Sequence, residues 1–507
     1  MKKALLLLMA AMLLLTAACS GGLGTMTQTT TTKATGKNQA WKDLIKEEEV
    51  EDEAPVFDVE SIAPVTAQLI GEDYPTDNTF YPEFDFDYDN MKNSPVVYVA
   101  EMGRYCMLIG NFLMYADEDT MFPQPMCTKA DCQHNLAVSL ADKRACEAYV
   151  CTNDQSVAFH YNSVDGRLYL AHETADEALM LESFLPDGTD RREEFTHEKQ
   201  ENFSGAFMGS NRIFHRGRFY YTCTEWKGNN SYIDRLWSYA LSTPDAEPEL
   251  LYTAQNPSDN PLGLRLSVYG RYLYITEALG IAERVGSSLL YDNAGLILDL
   301  ASGEWMSQTR MHDVPEEFAF SSSFVRNGKL VAVYEDRAYY YVQQEINQSN
   351  QGNNDKLEDV QPQYLYVESE PDGLDPVILE NGEAQSFNVS DDNYVCDFLP
   401  EAESCNQVAL NVCDHAGNVV REVTYGEFFP QAYEATYKRF ETVDIRYAAY
   451  LPGADKLLLL AQYHTSGYWG PGDCTFYCID LADVEDPNVP LEAFFSYSTR
   501  EYDIDGE

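Results

Sequence analysis

The sequence has little positive charge and, after its first residues, no long apolar run. Lys and Arg number 34 against 83 Asp and Glu, and the formal net charge is -49. Nucleic acid and anionic lipid surfaces are bound through clusters of Lys and Arg, so this charge excludes nucleic acid as a partner. The simplest interpretation of the negative charge is that it keeps the protein soluble; the alternative is that it attracts cations or basic partners. No later segment reaches the roughly 20 apolar residues that a membrane-spanning helix needs.

Signatures of hydrolytic enzymes are also missing. Neither Gly-x-Ser-x-Gly, His-Glu-x-x-His nor Ser-x-x-Lys occurs in a usable context. The eight histidines are scattered, and the 83 carboxylates make an acid pair available at any separation, so their number is no evidence for glycoside cleavage. The sequence therefore predicts no catalytic residue and favours a non-catalytic role, with a carbohydrate-active hydrolase or lyase as the alternative.

The N-terminus predicts export. Lys2 and Lys3 precede an apolar run over residues 4–15, and Thr16, Ala17 and Ala18 stand directly before Cys19. The segment Leu-Thr-Ala-Ala-Cys resembles the lipobox of bacterial lipoproteins, although Thr16 stands where that family more often has Leu. The resemblance implies a signal peptide over residues 1–18 and acyl chains such as palmitate on Cys19, which would anchor the protein to the cell membrane. Ordinary cleavage with an unmodified Cys19 is the alternative.

Composition divides the rest of the chain into three parts. Residues 19–55 are rich in Thr and then acidic, and predict a flexible tether. Residues 56–94 predict an extension that packs on the main domain. Within it, residues 83–89 alternate acidic and aromatic side chains, which predicts an edge strand with a charged face, or less readily a calcium site. The main domain covers residues 95–507.

A repeated pattern fills the main domain. Each module has a Gly or Asn turn with a cation, a strand rich in Tyr, Leu and Val, and a second aromatic strand. The seven anchor positions are Arg104, Arg167, Arg218, Arg271, Lys329, Asn393 and Lys456, separated by 63, 51, 53, 58, 64 and 63 residues. Residues 343–363 fit a decorated hairpin loop.

A four-stranded sheet of this size cannot bury both of its faces alone, whereas radial stacking of such sheets buries them. The period is too long for a β-solenoid and too short for immunoglobulin-like sandwiches of about 100 residues. The sequence therefore predicts an all-β fold, a β-propeller of about seven four-stranded blades, with six or eight as alternatives. The WD40 and kelch signatures are missing, so the propeller family stays open.

Cysteines gather in the first module. Of the twelve, eleven remain if Cys19 is acylated, and four follow the pattern Cys127-x4-Cys132-x-His134 with Cys146 and Cys151 after it. Exported proteins are permissive for disulfides, such as Cys127 or Cys132 with Cys146. A structural zinc site of Cys127, Cys132, His134 and Cys146 is the second hypothesis, and buried thiols are the third.

The remaining cysteines give weaker predictions. Cys396, Cys405 and Cys413 are close enough in sequence to pair among themselves in the sixth module. Cys474 and Cys478, on one strand, would lie about 13 Å apart, too far to bond each other.

The segment from Met126 to Asn135, with Cys146 after it, resembles uncharacterised propeller-type surface lipoproteins of Gram-positive anaerobic bacteria. The shared features are the signal, the cysteine motif and the rhythm of the modules. The resemblance implies a surface lipoprotein with an architecture related to TolB-like, kelch and WD40-like propellers, and it implies no activity.

Two loops carry residues typical of recognition. Tyr468 and Trp469 lie on a Gly and Pro framed turn, and Trp226 and Tyr232 flank a Gly-Asn-Asn turn. Exposed aromatics on a rigid scaffold suit sugar stacking or peptide contact, although packing between blades is the alternative. We therefore predict an extracytoplasmic binding module for a protein, peptide or glycan. A structural or sensory subunit of an envelope complex is a further alternative.

Overall fold

The computed structural model describes most of the chain after residue 57. The described residues are 58–79, 81, 84, 96–109, 111–120, 123–132, 145–150, 157–174, 176, 178–198, 211–228, 231–243, 246–255, 264–285, 288–308, 311–312, 314–315, 317–326, 329–336, 364–379, 389–390, 394–398, 408–414, 418–428, 442–451, 454–464 and 473–498. The predicted signal peptide and tether therefore lie outside them, as does nearly all of the acidic and aromatic alternation at 83–89.

Within these residues, twenty-eight strands form seven antiparallel sheets, each of four consecutive strands. The first blade consists of β1 (Val96–Val99), β2 (Arg104–Ile109), β3 (Phe112–Asp117) and β4 (Gln124–Pro125). The second consists of β5 (Ala158–Asn162), β6 (Arg167–Glu173), β7 (Leu179–Phe184) and β8 (Arg192–His197). The third consists of β9 (Arg212–His215), β10 (Arg218–Gly228), β11 (Ser231–Ala240) and β12 (Glu249–Thr253).

The other four blades follow the same plan. The fourth consists of β13 (Arg265–Tyr269), β14 (Tyr272–Val285), β15 (Ser288–Asp299) and β16 (Trp305–Ser307). The fifth consists of β17 (Phe318–Arg326), β18 (Lys329–Asp336), β19 (Tyr364–Ser369) and β20 (Val377–Leu379). The sixth consists of β21 (Val389–Ser390), β22 (Tyr394–Phe398), β23 (Val408–Asp414) and β24 (Val419–Thr424). The seventh consists of β25 (Thr442–Leu451), β26 (Lys456–His464), β27 (Asp473–Asp480) and β28 (Glu492–Ser498).

The all-β prediction and the count of seven blades are thus confirmed. The helical elements in the described part of the chain are short 3-10 turns, at Val59–Ser61, Ala100–Met102, Tyr425–Phe428 and Leu481–Asp483. Within the same residues, no helix has the length and apolar character needed to cross a bilayer.

The blades stand side by side in a ring. Their first strands contact one another, as β1 does β5 and β5 does β9. Among the described residues, apolar clusters join blades one to five in order, blade six to blade seven, and blade seven back to blade one. The last junction packs Leu458 and Phe476 against Met107 and Met114. Contact between the first and last blades closes the propeller.

Successive side chains of a strand point to opposite faces of its sheet, so a central strand contributes to the apolar clusters on both sides of its blade. In β6 every residue is buried. Leu168 and Leu170 pack toward the first blade, whereas Tyr169 and Ala171 pack toward the third. A central strand of a blade is covered on both faces, which explains why apolar side chains occupy both faces of such a strand.

The predicted anchor cations have a common role in the six blades where they are described. Each stands at, or just before, the start of the second strand. It forms an ion pair with an acidic residue near the end of the third strand, in the turn after that strand or, for Glu249, at the start of the fourth strand. The pairs are Arg104 with Asp117, Arg167 with Asp190, Arg218 with Glu249, Arg271 with Asp299, Lys329 with Glu368 and Glu370, and Lys456 with Asp480. The seventh anchor, Asn393, lies outside the described residues.

Up-and-down topology gives the ring two distinct faces. Turns between first and second strands, and between third and fourth strands, lie on one side, which we call the turn face. Hairpins between second and third strands lie on the other side, the hairpin face.

Residues 58–79 run along blades three and four and reach the turn face. Leu69 and Ile70 are buried in the cluster that these two blades share. The Val65 N–H donates to the carbonyl of Gly303 at 2.8 Å, in the turn that leads to the fourth strand of its blade. The Gly71 N–H donates to the carbonyl of Arg216 at 2.8 Å. This part of the predicted extension packs on the propeller, while the predicted boundaries at residues 56 and 94 lie outside the described residues.

Arg216 holds this N-terminal segment in place. Its backbone is left-handed, with a φ of 42°, beside Gly217 with a φ of 80°, as a tight two-residue hairpin turn requires. Its side chain is 1% exposed. The guanidinium donates to the carbonyls of Pro75 at 2.7 Å, Asp77 at 2.8 Å and Thr79 at 2.9 Å. The segment therefore covers the turn face near blades three and four.

Candidate functional site

Three predicted cysteines meet beside the first blade. Cys127 and Cys132 follow β4, Cys146 lies in the connection to β5, and their sulfur atoms all lie within 4.8 Å of one another. Cys146 is buried, and the other two are half-buried. We call these three residues the cysteine cluster. The other two predicted members, His134 and Cys151, lie outside the described residues.

Hydrogen bonds join the two loops that carry the cluster. The carboxylate of Glu147 accepts from Thr128, from its N–H at 3.1 Å and its hydroxyl at 2.6 Å. These bonds lower the pKa of the Glu147 carboxyl. Lys129 Nζ donates to the carbonyl of Ala145 at 2.7 Å. The positions of the sulfur atoms are therefore set by contacts between residues about 16 to 19 positions apart in the chain.

The same loops are fixed to the first blade. The Leu113 N–H donates to the carbonyl of Ala148 at 2.8 Å, and the Val150 N–H donates to the carbonyl of Asn111 at 2.7 Å. An isolated bridge pairs Phe112 with Tyr149. Residues 145–150 thus lie along β3, and Cys146 packs in the cluster that joins the first and seventh blades.

The thiols differ in acidity. At Cys127, burial raises the pKa, but hydrogen bonds from the backbone N–H groups of Lys129 and Glu147 and from the other two thiols outweigh it, so the pKa is lowered. At Cys146, burial raises the pKa to about 12, opposed by the backbone N–H of Ala148. Cys127 is therefore the more acidic of these two thiols.

A buried polar network adjoins the cluster, and sequence reasoning missed it. His172 Nε2 lies 2.8 Å from Glu182 Oε1, and Arg191 contacts the same carboxylate at 2.5 and 3.0 Å. Arg191 also donates to the carbonyl of Glu147 at 2.6 Å, so the second blade holds the cysteine loop. Burial raises the pKa of Glu182, but its hydrogen bonds outweigh burial and lower the pKa to about 2. His172 on β6, Glu182 on β7 and Arg191 in the following turn belong to no local sequence motif. The sequence alone therefore does not predict this network.

The predicted aromatic residues lie on the hairpin face. Trp226 and Tyr232 are cross-strand partners near the tip of the hairpin between β10 and β11, and both are half-buried. Beside Trp226, the Glu225 carboxylate pairs with Lys227 at 2.6 Å and with Arg235 at 2.6 Å.

Tyr468 and Trp469 belong to the connection between β26 and β27 and lie outside the described residues. Because this connection also joins a second strand to a third, the topology assigns both predicted loops to the same face of the ring.

The remaining cysteines are described in part. Cys106, Cys223, Cys413 and Cys478 are buried within blades one, three, six and seven. Cys405 and the side chains of Cys396 and Cys474 lie outside the described part, so the predicted pairing in the sixth blade stays a prediction.

Comparison with known proteins gives no family. No protein-family model matches the chain, and no curated protein matches it. Among solved structures, puromycin hydrolase is 11% identical with a TM-score of 0.41, covering 86% of this chain and 57% of its own. The β-propeller domain of the Trilobed protease from Pyrococcus furiosus is 6% identical with a TM-score of 0.38, covering 78% of this chain and 94% of its own.

A putative TolB from Agrobacterium tumefaciens is 10% identical with a TM-score of 0.22, covering 67% of this chain and 80% of its own. The chain spans little more than half the length of puromycin hydrolase. The architecture of this chain rests on its own seven sheets and their closure.

Proposed function

We propose that the protein is a membrane-anchored extracytoplasmic lipoprotein whose propeller binds a protein, peptide or glycan on its hairpin face. The observation that carries the proposal is the N-terminal segment, which lies over part of the turn face through Arg216. We therefore place the ligand on the opposite side, the hairpin face. The anchor at Cys19 is supported by the lipobox resemblance alone.

The hairpin of the third blade supports this choice of face. Paired Trp226 and Tyr232 combine apolar area with polar ring atoms, which suits stacking against a sugar or peptide. β10 and β11 pair without a break from Arg218 and Ala240 to Trp226 and Tyr232, so the aromatic pair lies at the end of a continuous two-stranded ladder. Rigid aromatic side chains lose little conformational entropy on binding.

In the enzyme alternative, an acid catalyst at neutral pH needs a raised carboxyl pKa. Five described carboxyl groups have a lowered pKa and do not fit that role, namely Glu147, Glu182, Asp187, Asp190 and Asp486.

The test is an array of defined glycans and peptides probed with the purified chain that begins at Cys19 and with two variants. We expect Trp226→Ala to weaken binding of any recognised ligand at least about tenfold, as the loss of an interface aromatic does. Leu250→Ala is the matched control, because Leu250 is 47% exposed on the outer strand of the same blade. Equal binding by both variants would show that the ligand binds elsewhere than at this hairpin. Turnover of an array substrate without retention of any ligand would replace the binding role by an enzymatic one.

A further inference from the structure

The cysteine cluster has the geometry of a metal site. Zinc binds thiolates at about 2.3 Å in tetrahedral order, which places neighbouring sulfur atoms about 3.8 Å apart. The three sulfur atoms within 4.8 Å of one another fit this requirement with a small contraction. A disulfide joins only two sulfur atoms at about 2.05 Å and would leave the third thiol against it.

The surroundings of the cluster suit charged sulfur. The backbone N–H groups of Lys129 and Glu147 lie near Cys127 Sγ and favour its charged form. Cys146 receives a third N–H from Ala148. Donors fixed in a folded loop stabilise thiolates without any rearrangement on binding, as outer contacts do in metal sites generally.

We propose that Cys127, Cys132 and Cys146 together bind one zinc ion in a structural site. Each thiol that becomes a ligand releases its proton to solvent, and the three thiolates then share the charge of the ion. The fourth position is completed by a donor outside these three side chains. The proposal does not depend on the binding role of the hairpin face.

The position of the site gives the ion a mechanical role. It joins residues 123–132 to residues 145–150, and Cys146 packs in the apolar cluster where the first and seventh blades meet. Zinc therefore stabilises the blade at which the ring closes. Removing it should loosen both the cysteine loops and this junction.

The experiment measures zinc in the full chain that begins at Cys19, purified without chelator, together with mass spectrometry of the alkylated protein. We expect about one zinc ion per chain, with all three cluster thiols protected from alkylation until a chelator is added. Cobalt added to the stripped protein should produce a sulfur-to-cobalt charge-transfer band. Cys127→Ala, Cys132→Ala and Cys146→Ala should each lower zinc affinity at least about tenfold.

Cys106→Ala is the matched control, because Cys106 is buried in the same blade and belongs to a different apolar cluster. It should retain zinc and the cobalt band. Zinc far below one ion per chain in the wild-type protein, or a mass lower by two hydrogens that maps to a bond between two cluster cysteines, would overturn the proposal. Both measurements use the wild-type chain, so they stand even if a cluster variant folds poorly.

Discussion

Replacing Arg216 with Ala should release the N-terminal segment from the turn face. The guanidinium makes three hydrogen bonds to backbone carbonyls of the segment, at 2.7, 2.8 and 2.9 Å, from a site that is 1% exposed. Hydrogen bonds to a charged group contribute about 1.5–3 kcal/mol each, but they are not additive when they share one group. For three bonds that share one group, we expect a total loss of about 3–4 kcal/mol.

This energy should appear as local opening, because the segment is bound to blades that are complete without it. Hydrogen exchange at the Gly71 amide, which donates to the carbonyl of Arg216, reports the opening directly. At about 1.4 kcal/mol per factor of ten, we expect its protection to fall by about two to three orders of magnitude. Arg216→Lys should give a protection of the Gly71 amide between those of the wild-type protein and Arg216→Ala, because an ammonium supplies fewer directed donors than a planar guanidinium.

Arg192→Ala is the control. Arg192 pairs with Asp190 but is 57% exposed, so its loss should leave the exchange of the Gly71 amide unchanged. If Arg216→Ala and Arg192→Ala changed the exchange of the Gly71 amide equally, the role assigned to Arg216 would be refuted.

Further predictions concern acid stability, the repeated ion pair, the anchor and the metal site. The pKa of Glu182 is lowered to about 2 in the folded protein, against about 4.3 in the unfolded chain. The carboxylate therefore stabilises the fold fully at pH values above about 4.3, and this stabilisation is lost as the pH falls toward 2. Glu182→Gln should weaken the dependence of the urea unfolding midpoint on pH in this range. An unchanged pH dependence would contradict the lowered pKa. Asp117→Asn should cost only about 0.5–1 kcal/mol in urea unfolding, because this carboxylate is 39% exposed; a loss above about 3 kcal/mol would show a larger role. Cys19→Ala should abolish fatty-acid labelling and shift the protein from membranes to the soluble fraction, whereas retained labelling would reject Cys19 as the acylated residue. His134→Ala should weaken zinc binding about 10- to 100-fold, and unchanged affinity would assign the fourth position to another donor.

The sequence was sufficient for the architecture because the turn signal is local. Arg104 and Lys456 stand next to their turns, begin the second strands and pair with acids one strand away, and the pattern recurs at the six blades whose anchors are described. The cysteines of the cluster stand out in the sequence for a related reason: Cys127 and Cys132 are close in sequence, and Cys146 follows within the same connection.

Long-range contacts explain what the sequence did not reveal. Arg216 occupies a turn like those of other blades, and its partners lie about 140 residues away. The contact of Arg191 with Glu147 joins two blades, and no spacing rule relates the two positions. Such pairs depend on how neighbouring blades are placed, which periodicity alone does not define.

The construction of every blade from four consecutive strands has a consequence for how the chain can change. A gene segment that encodes one blade encodes a whole sheet, so duplication or loss of that segment breaks no strand pairing elsewhere. Only the apolar contacts with the two adjacent blades must be re-formed, as between Leu458 and Met107. Growth or shrinkage of the ring by one unit is therefore the least disruptive large change available to this lineage.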